Sequence, residues 1–287
     1  MSRTTLALLL AAAVVAQTPD EKKGTLAYLQ SLQTESGGFR LDAGAREPSL
    51  RATSAALRAI RYFGGNAAKK DDLRAFVEKC RSKEGGFADT PGGEPGVVLT
   101  AVGLMAGAEL GLAWARKDGA GRHLEYMEKH AKAFEEVRML AAGAEAVGVR
   151  PAKAEEWLKH LARGQREDGT WSEGPGRARD TGGHAAGVLR LGGTVRAEAV
   201  VKALDEGQRE DGGFGKADAR GSDLESTYRV MRTYHMLGKK PARAAAVREF
   251  VARCRNKDGG YGLTPGSASG VAPTYFAGII LHWLDAR

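Results

Sequence analysis

Cysteine is scarce in this chain, with only Cys80 and Cys254 among 287 residues, so at most one disulfide is available and no paired-cysteine metal spacing exists. Aromatic residues are few, at 7%. They do not interleave with the basic pairs Lys22-Lys23, Lys69-Lys70 and Lys239-Lys240, as stacking platforms for nucleic acid would. Those pairs are scattered, so the formal charge of +8 reads as a solvated surface and no nucleic-acid partner is expected. A Gly-rich phosphate loop and a Gly-x-Ser-x-Gly nucleophile elbow are also missing, which removes the commonest self-contained signatures of nucleotide and ester chemistry.

What is present is a globular composition, 43% hydrophobic and 27% charged, long enough to bury a sizeable core. Arg3 followed by the uncharged "TTLALLLAAAVVA" and then the polar "QTPDEKK" reads as a secretory signal over residues 1–16, cleaved after Ala16. The run is too short to favour a membrane span, and no transmembrane segment is expected after cleavage. The expectation is an exported protein, periplasmic or secreted, whose folded part is 17–287.

Self-similarity organises the rest. Gly-Gly-aromatic steps stand at "SGGF" 36–39, "EGGF" 84–87, "DGTW" 168–171, "DGGF" 211–214 and "DGGY" 258–261, with first glycines spaced 48, 84, 43 and 47 residues apart. The interval of 84 is two periods, and "LEYMEKHAKAFEEVRMLAAGAEAVG" at 124–148 supplies a degenerate unit there, making six. In each unit an apolar-periodic segment precedes the glycines and a second follows a loop, so each is a helical hairpin. The glycines are expected to stop the first helix through a left-handed cap. In "GQREDGTW" at 164–171 and "GQREDGGF" at 207–214, the Gln is expected to bond main-chain groups, the Asp to cap the turn, and Trp171, Phe214 and Tyr261 to pack between units. Cys80 and Cys254 occupy equivalent places in units two and six and are expected to be buried thiols, not a disulfide. His123 and His130, seven residues apart on one helix, are expected at the surface.

This grammar resembles the prenyltransferase and squalene-cyclase repeat family, protein prenyltransferase β subunits in particular (among them the β subunit of geranylgeranyl transferase type II), from about Glu21 to Trp283. "QREDGTW" is similar to the Gln-Trp motif of the triterpene cyclases, and "GGYGLTPG" to the β subunits. The resemblance implies an all-α, six-hairpin (α/α)6 toroid with an apolar central cavity for a prenyl diphosphate or related isoprenoid. It implies catalytic residues at the inner helix ends, here Asp223 and Glu225. Family members hold zinc with Asp, Cys and His; Asp223 matches the first, whereas Glu225 and Pro273 stand at the other two positions, so zinc would be weakly held and transfer activity is doubtful. "SDLEST" reads equally as an N-cap with an acidic first turn. For the diphosphate contacts, Arg220 keeps the charge at the family's Lys position and Arg138 matches a cavity-facing Arg, while Ala217, Ser226 and Thr181 stand where the family has Arg, Tyr and His; His184, one turn from Thr181, is a partial substitute, and Arg229 is a further candidate for the cluster. The arginines either bind an anion or pair with Glu136, Asp223 or Glu225.

The Asp-x-Asp-Asp acid of the squalene-type cyclases, the Asp-Asp-x-x-Asp of ionising terpene synthases and the Cys-Gly-Glu-Gln of complement-type thioester domains are all lacking. Two functions therefore stand open: a prenyltransferase-like isoprenoid handler, and an exported non-catalytic toroid that binds a lipid, a glycan or a protein.

Overall fold

The computed structural model describes residues 17–286; the expected signal, 1–16, lies outside the described residues. Twelve α-helices alternate between two layers. The outer set is α1 (Pro19–Ser31), α3 (Lys70–Lys79), α5 (Gly121–His130), α7 (Ala154–Ala162), α9 (Ala197–Glu206) and α11 (Ala244–Arg253). The inner set is α2 (Leu50–Tyr62), α4 (Val97–Glu109), α6 (Phe134–Ala146), α8 (Arg177–Arg190), α10 (Leu224–Met236) and α12 (Val271–Asp285). Each inner helix packs on the next, and α12 packs on α2. The six expected hairpins thus close into an (α/α)6 toroid, the degenerate unit being α5 and α6.

The repeated motif works as structure. Gln33, Gln165 and Gln208 donate from Nε2 to the carbonyls of Gly37, Gly169 and Gly212 at 3.0, 3.1 and 2.7 Å. Gln33 and Gln208 also reach the neighbouring unit, at Ala68 O and Arg243 O. Asp168, Asp211 and Asp258 accept from the backbone two residues on, closing Asx turns. Phe39, Phe87, Trp171, Phe214 and Tyr261 are all buried, each worth about 2–3 kcal/mol of transfer free energy.

The glycines do not cap the outer helices. Helix α9 ends at Glu206, six residues before Gly212. Gly212 (φ +88°) instead turns the chain so tightly against the next hairpin that a Cβ would lie 2.2 Å from Ala246 O; only glycine fits both the conformation and the space. Left-handed glycine caps belong to the inner helices, as at Gly64 and Gly238. The ring closes by the same contact: Gly259 abuts the Gly24 backbone, and Thr25 Oγ1 donates to Gly259 O at 2.8 Å.

A second device escaped the sequence reading. In five units the backbone N–H of the motif aromatic donates to a threonine hydroxyl on the inner helix: Thr53, Thr100, Thr181, Thr227 and Thr274, at 2.9 to 3.2 Å. These buried threonines satisfy a donor that the loop leaves unpaired.

Cys80 and Cys254 are free and buried, and burial pushes both thiols up to about 12. His123, expected at the surface, is buried against Phe87 and Trp114 with Nδ1 bonded to Gly85 O, while His130 is exposed. His123 sits on the apolar stripe of α5 beside Leu124 and Met127.

Candidate functional site

The six inner helices run parallel around a central channel, so one mouth collects their N-termini and the other their C-termini. Two chambers lie along it. The larger, about 410 Å³, opens at the C-terminal mouth and is lined by late residues of α2, α4, α6 and α8 and by Tyr228, Arg232 and Tyr275. The smaller, about 200 Å³, lies toward the N-terminal mouth. Arg58, Met105, Ala142, Tyr228 and Tyr275 belong to both and form the waist.

The larger chamber holds four arginines against two glutamates. Arg61 pairs with Glu109 at 3.1 Å. Glu145 is shared between Arg190 at 2.9 Å and Arg232 at 3.8 Å. Arg58 has no carboxylate partner among the described residues; its Nη1 donates to Tyr275 Oη at 2.9 Å, and its guanidinium lies 4.1 Å from that ring's centroid. Arg232 lies over Trp283 at 4.7 Å, and its Nε is buried with no acceptor among the described residues. Arg61 and Arg190 sit in the last turns of α2 and α8, where cations suit the helix dipole. Arg58 and Arg232 sit a turn deeper, beyond its reach.

Tyr228 is the group most altered by this setting. Burial resists its ionisation, and the guanidiniums of Arg232, Arg190 and Arg58 overcome that resistance, drawing the phenol from 10 down to about 6. Tyr275, 5.8 Å away between ring centroids, moves the other way: burial and the charge on Tyr228 raise it.

The N-terminal mouth is a closed lattice. Arg138 Nε donates to Glu135 at 2.9 Å. Arg229 joins Glu225 at 2.7 Å and Glu135 at 3.4 Å. Arg179 adds contacts to Glu225 at 3.6 Å and Asp180 at 3.3 Å. Three arginines meet three carboxylates.

A family model described as the prenyltransferase alpha-alpha toroid domain matches residues 1–132 and 120–286. The chain belongs to the prenyltransferase alpha-alpha toroid family. No curated protein sequence matches it. Among solved structures, a protein from Actinoplanes is similar over 93% of this chain and 99% of that one, with a TM-score of 0.66 and 14% identity. The type II terpene cyclase MstE from Scytonema, in complex with geranylgeranyl dihydroxybenzoate, covers 92% and 96%, with a TM-score of 0.63 and 11% identity. A glycosidase in complex with glucose also covers 92% and 96%, at 0.60 and 15%. At these identities the likeness is one of fold.

Within this prenyltransferase-type toroid, the residues expected from the family pattern are partly assembled. Asp223 is the N-cap of α10: Oδ1 accepts from Ser226 N and Oδ2 from Ser226 Oγ, both at 2.8 Å. Glu225 is engaged by Arg229 and Arg179, and Pro273 has no side-chain donor. The residues at the zinc positions therefore do not fit the metal, and among the described residues no group of three or more His, Cys, Asp or Glu is placed to hold one. Arg138 and Arg229 share Glu135, and Arg229 also pairs with Glu225; Glu136 instead accepts from Lys132 N and Ala133 N. Arg220 is exposed on the loop before α10 and lines neither chamber. His184 is stacked between Phe134 and Trp171, with centroids at 3.9 and 5.6 Å and Nδ1 on Asp180 O; burial lowers its pKa, which favours neutral imidazole.

Sequence reasoning missed Arg58, Arg190, Arg232, Tyr228 and Tyr275. One signal was available: Tyr228 and Tyr275 each lie one residue beyond the threonine that bonds the motif aromatic, at equivalent places in units five and six.

Proposed function

We propose that the protein binds an organic anion in the central channel. The charged head lies among Arg58, Arg190 and Arg232, and the apolar body extends past the waist toward Met139 and Phe276. The observation that carries this reading is the surplus of guanidinium at the C-terminal mouth, centred on Arg58, which has no carboxylate partner among the described residues. An unpaired cation held in a concave, partly buried chamber is a recognition element for a carboxylate or phosphate.

Family membership supports the isoprenoid class, and the MstE complex, whose ligand joins a geranylgeranyl chain to a dihydroxybenzoate, is consistent with it. A prenyl diphosphate or prenylated carboxylate meets both demands. Transfer onto a zinc-bound thiolate is no part of this proposal, because the donors at Asp223, Glu225 and Pro273 do not suit it. We place the protein outside the cytoplasm on the strength of its first sixteen residues.

Calorimetric titration with geranylgeranyl diphosphate, inorganic diphosphate and geranylgeraniol tests the reading. Saturable binding of the first, weakened by Arg232→Ala and absent for the alcohol, is the expected result. Equal binding of the alcohol, or no binding of either anion, overturns it.

A further inference from the structure

We infer that Glu145 is a resident counter-anion that competes with the ligand for Arg232, and that this competition restricts the channel to heads carrying more than one negative charge. This rests on the reading that the chamber holds an anion, and narrows it by naming the class of head and the residue that selects it.

Glu145 stands in the last turn of α6, at the C-terminal mouth. One of its oxygens, Oε2, receives both Arg190 Nε at 2.9 Å and Arg232 Nη1 at 3.8 Å. The two contacts are unequal. The first is a hydrogen bond from an arginine whose side chain is 3% exposed; the second lies beyond hydrogen-bond length and is Coulombic attraction alone. Arg232 makes no other ion pair among the described residues. Its guanidinium is held over the rings of Trp283 and Tyr228, at 4.7 and 5.9 Å from their centroids, and its buried Nε has no acceptor among those residues. Arg190 is thus fixed to Glu145, whereas Arg232 is attracted but unbonded.

The charge count follows from these partners. Arg61 is taken by Glu109, so Arg58, Arg190 and Arg232 face Glu145 alone, a surplus of two positive charges. The other lining groups able to carry negative charge are the phenols of Tyr62, Tyr228 and Tyr275, and Tyr228 is drawn toward ionisation by the same arginines.

A single carboxylate in this chamber meets Arg58 with a gain. It offers Arg232 no more than Glu145 already does, and it lies beside the like charge of Glu145. Like charges brought together cost affinity and serve to reject a ligand. A head with two charges spread over several oxygens, a phosphomonoester or a diphosphate, engages Arg58 and Arg232 together and leaves Glu145 to Arg190. The spacing suits it, because those two arginines lie over Tyr275 and Tyr228, neighbouring rings with centroids 5.8 Å apart. Such a head gives Arg232 the charge-assisted hydrogen bond it lacks and matches the surplus. Ala142 and Ala146, on either side of Glu145 in the α6 lining, keep bulk away from the place where it sits.

Calorimetric titration of the whole protein with three ligands of one tail tests this: geranylgeranyl diphosphate, geranylgeranyl phosphate and geranylgeranoate. The two phosphates should bind at least about 10-fold more tightly than the carboxylate. Glu145→Gln, which keeps an acceptor for Arg190, should strengthen binding of the carboxylate about 10-fold and so close most of that gap. Glu155→Gln, which removes a charge from the outside of the ring, should leave the gap as it was. Thermal melting confirms that each variant folds. A second readout needs no change at Glu145. In the nitrogen-15 spectrum of the arginine side chains, the Arg232 Nε–H resonance, assigned with Arg232→Lys, should shift and gain protection from exchange when geranylgeranyl diphosphate is added. Three results overturn the inference and leave anion binding standing: parent protein that binds the carboxylate as tightly as the diphosphate, a gap unchanged in Glu145→Gln, or an Arg232 resonance that stays still as the diphosphate binds. Failure of all three ligands to bind the parent overturns both.

Discussion

At the N-terminal mouth of the channel, Arg138, Arg179 and Arg229 meet Glu135, Asp180 and Glu225. At the C-terminal mouth, Arg58, Arg61, Arg190 and Arg232 meet, among the described residues, the two carboxylates of Glu109 and Glu145. The first set is balanced and its charges are spent on one another; the second carries a surplus beside a waist of tyrosines. Of the arginines expected to meet an anion, Arg138 and Arg229 fall in the balanced set and Arg220 lies outside both. Those of the surplus set match no pattern. A guanidinium in a toroid of this kind is therefore informative only with its partners counted, since the same residue type is a strut at one end and a receptor at the other.

The sharpest way to break this contrast is to remove the surplus. The double variant Arg58→Ala/Arg232→Ala should lose about 100-fold or more in affinity for geranylgeranyl diphosphate, since a hydrogen bond to a charged group contributes about 1.5–3 kcal/mol. Calorimetry of Arg138→Ala, by comparison, should show affinity within a few-fold of the parent.

Removing the balance at the other end is the converse. Glu135→Gln with Glu225→Gln leaves Arg138 and Arg229, 11% and 13% exposed, without their carboxylates. A fully buried pair broken this way costs about 3–5 kcal/mol. Glu135 is 46% exposed, so solvent screening reduces the expected loss to about 2 kcal/mol, read from urea unfolding.

The pH dependence separates the mouths again. The folded pKa of Tyr228 lies below its unfolded value of 10, so the folded state binds fewer protons. Its contribution to stability is full above pH 10 and is lost as the pH falls through about 6. The stability difference between parent and Tyr228→Phe should therefore grow from pH 6 to 9, while no such slope appears for Arg138→Ala. The smallest effect is at Asp223. Its replacement by Ala removes an N-cap and should cost about 1 kcal/mol, and added zinc should leave the melting temperature of parent and variant alike unchanged.

The repeat made the architecture readable. Glycines 37, 85, 169, 212 and 259 recur at unit spacing because each must present bare backbone to the next hairpin, a constraint that writes itself into sequence. The balanced mouth was half-readable for a similar reason: Arg138 lies on a family motif, and Glu225 is one turn from Arg229. Arg229 pairs with Glu225 as one of the named alternatives, but the carboxylate shared by both arginines, Glu135, is the neighbour of the expected Glu136, because the choice depends on which side of α6 faces the channel and which glutamate folds back to cap it. The tyrosine waist carries no signal beyond the threonine that precedes each of Tyr228 and Tyr275. Arg58, Arg190, Arg232, Tyr228 and Tyr275 come from four helices spread over 218 residues of chain, and only closure of the ring brings them together. His123 was misplaced because one short helix has two faces and periodicity alone did not decide between them.

The contact of Gly259 with Gly24 has a consequence for how the molecule is made. A nascent chain delivers α1 first, yet the surface that seats it belongs to the last hairpin to leave the ribosome. The first outer helix therefore waits through the synthesis of five further units for its partner, and the cavity has no complete wall until then. Once sealed, the ring has no privileged beginning. Joining residues 17 and 286 through a linker and reopening the chain between units three and four should yield a circular permutant with the same chambers, in which a different hairpin is the one that waits.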